Sequence, residues 1–355
     1  MAEFMTGFTN PWLAFLQQHG ARVTESDTPE VTGFDVGTVQ TAGGIVAPLT
    51  GLGLIALSGE DAASFLHNQL TNDVENLSLT EARLAGYCSP KGRLLASFLM
   101  WKSGDNILLQ LPRQLQPPIQ KRLQMFVLRA KAKLADVTDS HVLLGLAGPA
   151  AASALAPWFA ELPPAPYAKT ESAAGTLIRL ADAGGEPRYQ WVTTTSTAQE
   201  AWPALSVNLQ PVGAGAWRLM DIEAGIPQIT LPTQEQFVPQ MVNYELIGGV
   251  NFRKGCYPGQ EIVARSQYLG KLKRRMLLAS TAAPDASAGM EVFSSTDPEQ
   301  PCGMIVNAES SGAGRMDCLV QIKTAALDQG TIHLGSATGP ALDFKPLPYP
   351  LPDPA

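Results

Sequence analysis

Long apolar runs are missing from this chain. No stretch of its 355 residues approaches the roughly 18 consecutive apolar positions that a membrane-spanning helix requires. The N-terminus has no basic region leading into an apolar core and a cleavage site, so the sequence reads as a cytoplasmic protein. Cysteine is scarce. The four, at 88, 256, 302 and 318, include no C-x-x-C and no paired Cys/His spacing, which argues against a disulfide framework and a preformed metal site. Charged residues are few and the balance is acidic, at −7, which argues against a surface coated in positive charge for nucleic acid. No G-x-x-x-x-G-K-[ST] occurs, and "GLGLIALSG" lacks the full dinucleotide fingerprint, so neither ATP nor NAD is implied. His19, His67, His141 and His333 stand singly, without a neighbouring nucleophile or metal partner, and a Cys-His hydrolase is unsupported.

What is present is ample apolar material for two or three domains. "NPWLAFLQQHG" reads as an amphipathic helix with proline in its first turn and glycine at its end. The following "RVTESDTPEVTGFDVGTVQTAGG" lacks a sustained period and reads as irregular. "GLIALSGEDAASFLHNQLTNDV" predicts a strand and then a helix, with Ser58-Gly59-Glu60-Asp61 supplying the cap and an acidic first turn. "EARLAGYCSPKGRLLASFLMWKSGDNILLQLP" predicts a three-stranded meander, closed by a helix around "RQLQPPIQKRLQMFVLR". Residues 142–208 read strand, helix, hairpin, helix, the order of a small α+β sandwich. Past residue 275 only short strands at turn spacing remain, suggesting a sandwich or barrel. The tail "DFKPLPYPLPDPA" is proline-rich and extended.

The chemistry concentrates in "NFRKGCYPGQEIVAR". Cys318 sits in an apolar strand, as a packing thiol should, whereas Cys256 sits in a Pro-Gly turn directly behind Arg253 and Lys254. Between residues 253 and 275, seven cations stand against one acid, Glu261, a net +6 in an acidic chain. Adjacent cations, and a helix opening at Gly259, favour a thiolate. Cys256 is then either a nucleophile or transient metal ligand, or a residue filling a pocket below the turn. Lys254 either binds an anion or is solvated, and Glu261 caps the first turn of the helix. Glu223, beside the apolar face of Leu219, Ile222 and Ile226, falls at a helix C-terminus, where the dipole disfavours a carboxylate. That placement hints at use, although a surface Glu is the commoner reading.

"KGCYPGQE", with "FLHNQLTNDV", "GYCSPKGRLLA", "RLMDIEAGIPQI" and "VARSQYLGKLKRRM", resembles the bacterial YgfZ family, relatives of the glycine-cleavage aminomethyltransferase (T-protein), over most of residues 47–345. The resemblance implies an α+β fold, a three-domain ring of the aminomethyltransferase type with a C-terminal β-barrel. The expected divisions are 1–46 (N-terminal helix and irregular segment), 47–135 and 211–270 (a discontinuous folate-binding domain), 136–210 (an inserted ferredoxin-like α+β domain), 271–345 (the barrel) and 346–355 (the tail).

The resemblance also implies tetrahydrofolate or a derivative as cofactor, with no stable metal or nucleotide, and a role in assembling or repairing iron–sulfur proteins, tRNA-modifying enzymes included. Glu223 matches the carboxylate that contacts the pterin. Lys254, Gly255, Cys256, Tyr257, Gly259, Gln260 and Glu261 match the family motif, with Cys256 as functional thiol and Arg253 and Lys254 toward the cofactor. Where aminomethyltransferases carry a catalytic aspartate, this chain has Ala96 and Ser97, so glycine cleavage is not expected. The expected partners are folate and iron–sulfur client enzymes, with tRNA contact through residues 253–275 and no membrane. The alternatives are a folate-dependent one-carbon transferase and an RNA-interaction module.

Overall fold

The computed structural model describes residues 10–35, 43–268 and 272–352. The start of the N-terminal segment, part of the 22–44 stretch, Lys271 and the last three tail residues lie outside the described residues. The chain forms two compact units, residues 1–53 with 136–217 and residues 54–135 with 218–355. Strand Leu52–Ser58 and helix Ala214–Glu223 carry the chain from one to the other.

In the first unit, helix Pro11–Gln18 starts where Asn10 Oδ1 accepts from the backbone N–H groups of Trp12 (3.0 Å) and Leu13 (3.2 Å), satisfying donors that a helix start leaves open. Its Trp12 lies edge-on to Trp202 at 5.7 Å, and Phe34 stacks on the same indole at 5.4 Å. The core they begin continues through Trp191, Leu144, Leu146 and Leu177. It is backed by a six-stranded sheet in the order 169–172, 175–183, 186–193, 142–147, 45–48, 210–211, antiparallel except for the last pair. Residues 45–53 and 211–217 therefore group with the expected insertion, because Ile45–Pro48 hydrogen-bonds along Val142–Ala147. The stretch read as irregular contains an antiparallel pair, Ala21–Val23 with Val31–Phe34. Those strands are too short and too bulged to show a period of two.

Trp217 ends this unit's share of the connecting helix. Its indole covers Gly145, where a Cβ would come within 2.5 Å of the ring. The buried Arg188 guanidinium sits 5.1 Å from the Trp217 ring centroid.

The second unit opens with a five-stranded sheet in the order 82–88, 94–103, 106–112, 52–58, 133–136, whose meander is antiparallel. Helix Ala62–His67 follows Asp61, but the Asp61 side chain makes no cap bond and no acid lies in the first turn. The Asp61 carboxylate instead accepts from the Lys131 backbone N–H at 2.7 Å, which corrects the expected cap. Residues 274–345 form a curled six-stranded antiparallel sheet, a half-barrel, over a core of Ile305, Val320, Ile322 and Cys318.

Between helix Ala214–Glu223 and helix Gln260–Tyr268 only single turns of 3-10 helix occur. Side chains hold this long connection in place of a backbone ladder. Asn243, in left-handed backbone, donates through Nδ2 to Met276 O (2.8 Å) and accepts from Met276 N–H (3.3 Å). Tyr244 Oη donates to Ala85 O at 3.1 Å. Glu245 and Arg275 form an ion pair with side chains 4% and 7% exposed. Removing one partner of such a pair leaves an uncompensated charge. Glu245→Ala is expected to lower stability by about 3–5 kcal/mol in urea unfolding, and a loss below about 1 kcal/mol would place the pair in the exposed class.

Candidate functional site

The Cys256 turn is built from Asn251 onward. Asn251 N–H donates to Thr71 O at 2.9 Å, and its side-chain oxygen accepts from Arg253 N–H at 2.8 Å. Lys254 then turns inward. Its Nζ donates to the carbonyls of His67 and Leu70, at the C-terminal end of helix Ala62–His67, and lies 4.8 Å from the Tyr257 ring centroid. Terminal helix carbonyls lack intrahelical donors and carry partial negative charge, so an ammonium suits them. Burial pulls Lys254 down to about 8, against the opposing pull of Asp73, Cys256 and Glu75. The ammonium is lodged on protein carbonyls, neither solvated nor turned outward to an anion.

The far end of the turn is fixed by glycine. Gly259 has φ +78°, and a Cβ there would stand 2.4 Å from Ser89 O and 2.6 Å from Gly92 Cα. Gly92, at φ +69°, meets Ile262 and Gly259 from the other side. The "YPG" of the turn and the "PKG" of the meander hairpin therefore touch backbone to backbone, which no residue with a side chain permits. Helix Gln260–Tyr268 begins immediately after, with Glu261 in its first turn as expected. Its Val263 O accepts from Gln240 Nε2 at 2.8 Å.

Between these fixed points Cys256 is exposed, whereas Cys88, Cys302 and Cys318 are buried. Burial pushes Cys88 and Cys318 up to about 12 and raises Cys302 as well, so none of the three offers a ready thiolate. Tyr257 is buried beneath Lys254; its hydroxyl has no hydrogen-bond partner among the described residues, and burial raises its pKa.

Two residues missed by sequence reasoning share this neighbourhood. His67 Nδ1 lies 3.2 Å from Asp73 Oδ1, with the side chains 11% and 15% exposed. The opposite edge of the ring faces the turn, since a Cβ on Gly255 would stand 3.6 Å from His67 Nε2. Burial pushes the Asp73 carboxyl up, but the Asn76 donors, with His67 and Arg83, outweigh it and hold the group below its usual range. The signal was the polar run in "QLTNDV", which no apolar period explains. Thr71 Oγ1 donates to Gly249 O (2.6 Å), and Asn72 Nδ2 donates to Leu84 O and Gly248 O (2.7 Å each). These bonds bind the segment leading into the turn to the meander.

Glu223 belongs to another neighbourhood. It is the last residue of its helix, half-buried, and the helix closes with Gly225 N–H on Ile222 O (3.0 Å) and Ile226 N–H on Asp221 O (2.9 Å). This double closure, with Gly225 at φ +66°, is a Schellman cap. The proline-rich tail is not free: Tyr349 Oη donates to Gly225 O at 2.8 Å. Beyond the cap, Ser97 Oγ accepts from Ile229 N–H (2.9 Å), and Gln228 exchanges two hydrogen bonds with the Asn307 amide. Ser97 thus anchors backbone at the position where the resemblance placed a catalytic carboxylate.

The basic run of residues 253–275 is divided among different surroundings. Lys254 is spent on carbonyls and Arg275 on Glu245, while Arg253, Arg265 and Lys273 remain exposed. Among the described residues, no cluster of three or more His, Cys, Asp or Glu suits a metal ion. The backbone contact at Gly259 yields a direct comparison. Gly248 has a similar φ, +80°, but open space around it. Gly248→Ala is expected to cost about 1–2 kcal/mol, the strain of left-handed backbone alone, and Gly259→Ala clearly more, because the hairpin must also move. Equal losses in urea unfolding would contradict the contact.

Comparison with known proteins places this geometry. Residues 6–251 match the family described as the GCVT N-terminal domain. The chain is 33% identical over 304 residues to the tRNA-modifying protein YgfZ of Klebsiella pneumoniae (strain 342), covering 84% of this chain and 91% of that protein. It is 30% identical over 299 residues to the tRNA-modifying protein YgfZ of Edwardsiella ictaluri (strain 93-146), covering 83% and 89%. The crystal structure of the glycine cleavage system aminomethyltransferase T from Bartonella henselae superposes with a TM-score of 0.78 at 17% identity, over 95% of this chain and 96% of that one. The α+β fold is therefore of the aminomethyltransferase type, and by sequence the chain belongs to the YgfZ family of GCVT-domain proteins.

Proposed function

We propose that the protein is a folate-binding accessory factor for the assembly or repair of iron–sulfur proteins, tRNA-modifying enzymes among its clients, with Cys256 as the functional thiol. The observation that carries this reading is the exposure of Cys256 on a turn whose neighbours on both sides are fixed, while the other three cysteines are buried. A thiol needed only for packing would not stand in solvent on a braced turn; one that must be reached by a partner would. The chain has too few grouped thiolates for a four-cysteine cluster of its own, so contact with a cluster is transient or shared with ligands from the client. The names of the similar proteins, which refer to tRNA modification, support the same direction.

Tetrahydrofolate is the cofactor that the fold implies, and the residues present are compatible with it. Glu223 offers a half-buried carboxylate at a capped helix end, an acceptor for the N–H edge of a pterin, and Tyr349 and the Gln228–Asn307 pair hold that end in place. Arg253, exposed beside the turn, is the cation available to an anionic ligand, whereas Lys254 serves the turn itself. When bound, the cofactor supplies a carrier for one-carbon units. The one-carbon transferase reading is weaker, because Ser97 is committed to Ile229 N–H and offers no carboxylate.

Two variants test the proposal. Glu223→Ala is expected to weaken calorimetric binding of tetrahydrofolate about tenfold or more, equivalent to about 1.4 kcal/mol or more. Cys256→Ser should keep that affinity yet lose support of iron–sulfur enzyme activity in cells lacking the native protein. Full support by Cys256→Ser, or unchanged affinity in Glu223→Ala, would sink the respective half of the proposal.

A further inference from the structure

A second place in the molecule gathers charge that the proposed function does not use. Between the tip of the meander hairpin and the half-barrel, a cleft of about 250 Å³ is lined by Arg93, Phe237 and Met241 on one side and by Arg274, Met304 and Gln321 on the other. Both arginines are tethered by one nitrogen only. Arg93 Nη1 donates to the carbonyls of Glu235 (3.3 Å) and Gln236 (2.5 Å), and Arg274 Nη1 to Cys302 O and the Gln321 side-chain oxygen, both at 3.3 Å. Neither guanidinium pairs with a carboxylate among the described residues, and none of their described hydrogen bonds uses Nε or Nη2. Burial lowers the pKa of Arg274, against a smaller opposing pull from Cys302. The one acid lining the cleft, Glu291, is exposed at its rim.

Two tethered guanidiniums facing one cavity repel each other until an anion joins them. The planar edge that each leaves open matches a carboxylate or phosphate in bidentate geometry. The rest of the lining is mixed: Phe237 and the adaptable thioethers of Met241 and Met304 stand beside the side chains of Gln236 and Gln321. The volume lies just below the roughly 300–1,000 Å³ of drug-sized ligand sites, which suits a metabolite. A nucleic-acid strand needs a track of cations along its backbone, and only two line this cleft.

We infer that this cleft binds a small organic anion, its carboxylate or phosphate held between Arg93 and Arg274 and its apolar body against Phe237, Met241 and Met304. The site contains neither Cys256 nor Glu223 and stands independently of the folate reading.

The test uses the full chain with ¹³C-methyl-labelled methionine, followed by NMR, with phenyl phosphate and benzoate as probes. At least one probe is expected to shift the Met241 and Met304 methyl signals saturably at millimolar concentration; whichever binds tighter tells phosphate from carboxylate. Arg93→Gln, at a hairpin tip, and Arg274→Gln are each expected to weaken that binding about tenfold or more; should Arg274→Gln fail to fold, Arg93→Gln decides alone. No shift with either probe, or wild-type affinity in a folded variant, would overturn the inference. Shifts caused by a short single-stranded RNA but by neither probe would assign the arginines to nucleic acid and overturn it equally.

Discussion

The ammonium of Lys254, seated on the carbonyls of His67 and Leu70, is the interaction on which the candidate site depends. It joins the C-terminal end of one helix to the middle of a turn more than 180 residues later in the chain. An unpaired ammonium in that position would be too costly to bury, and open helix carbonyls would need water. Each group solves the other's problem. The seat also fixes the direction of the backbone at Gly255 and Cys256: with Lys254 turned inward, the thiol is left outside. At the other end, the contact of Gly259 with Ser89 and Gly92 prevents the turn from pivoting about the lysine.

Side-chain amides extend the same logic through the second unit. Asn72 donates to Gly248 O, Asn307 holds the backbone of Gln228, and from the connection itself Gln240 reaches Val263 O and Asn243 the backbone of Met276. A connection of nearly forty residues with only single 3-10 turns can therefore be ordered and carry function at both ends. Glu223 sits at the start of that connection and Cys256 near its end. The half-barrel contributes by gripping the connection: Asn307 holds Gln228, Met276 holds Asn243, and Arg275 pairs with Glu245.

Elements with strong periodicity were legible in the sequence. The meander, the first helix and the short strands beyond residue 275 follow from apolar alternation and turn residues, and the cysteine motif marked the turn by its composition alone. What escaped was set by distant partners. Asp61 has the composition of a cap, yet Lys131 takes its carboxylate. The cations from 253 to 275 look alike in sequence, but burial separates them into a helix-end brace, a buried ion pair and a cleft wall. His67 looked solitary because Asp73 and Gly255 approach it only in three dimensions. The Tyr349 anchor was hidden in a proline-rich stretch whose composition describes backbone, not docking.

Hydrogen exchange followed by mass spectrometry on Lys254→Met tests the central claim most directly, because it reports on both ends of the lysine's span at once. If the ammonium braces the site, amides of residues 64–72 and of 249–259 will lose protection together, while the half-barrel strands of residues 300–323 exchange as in the native protein. Unchanged protection in both segments would show that the turn holds its shape without Lys254, and would contradict the account.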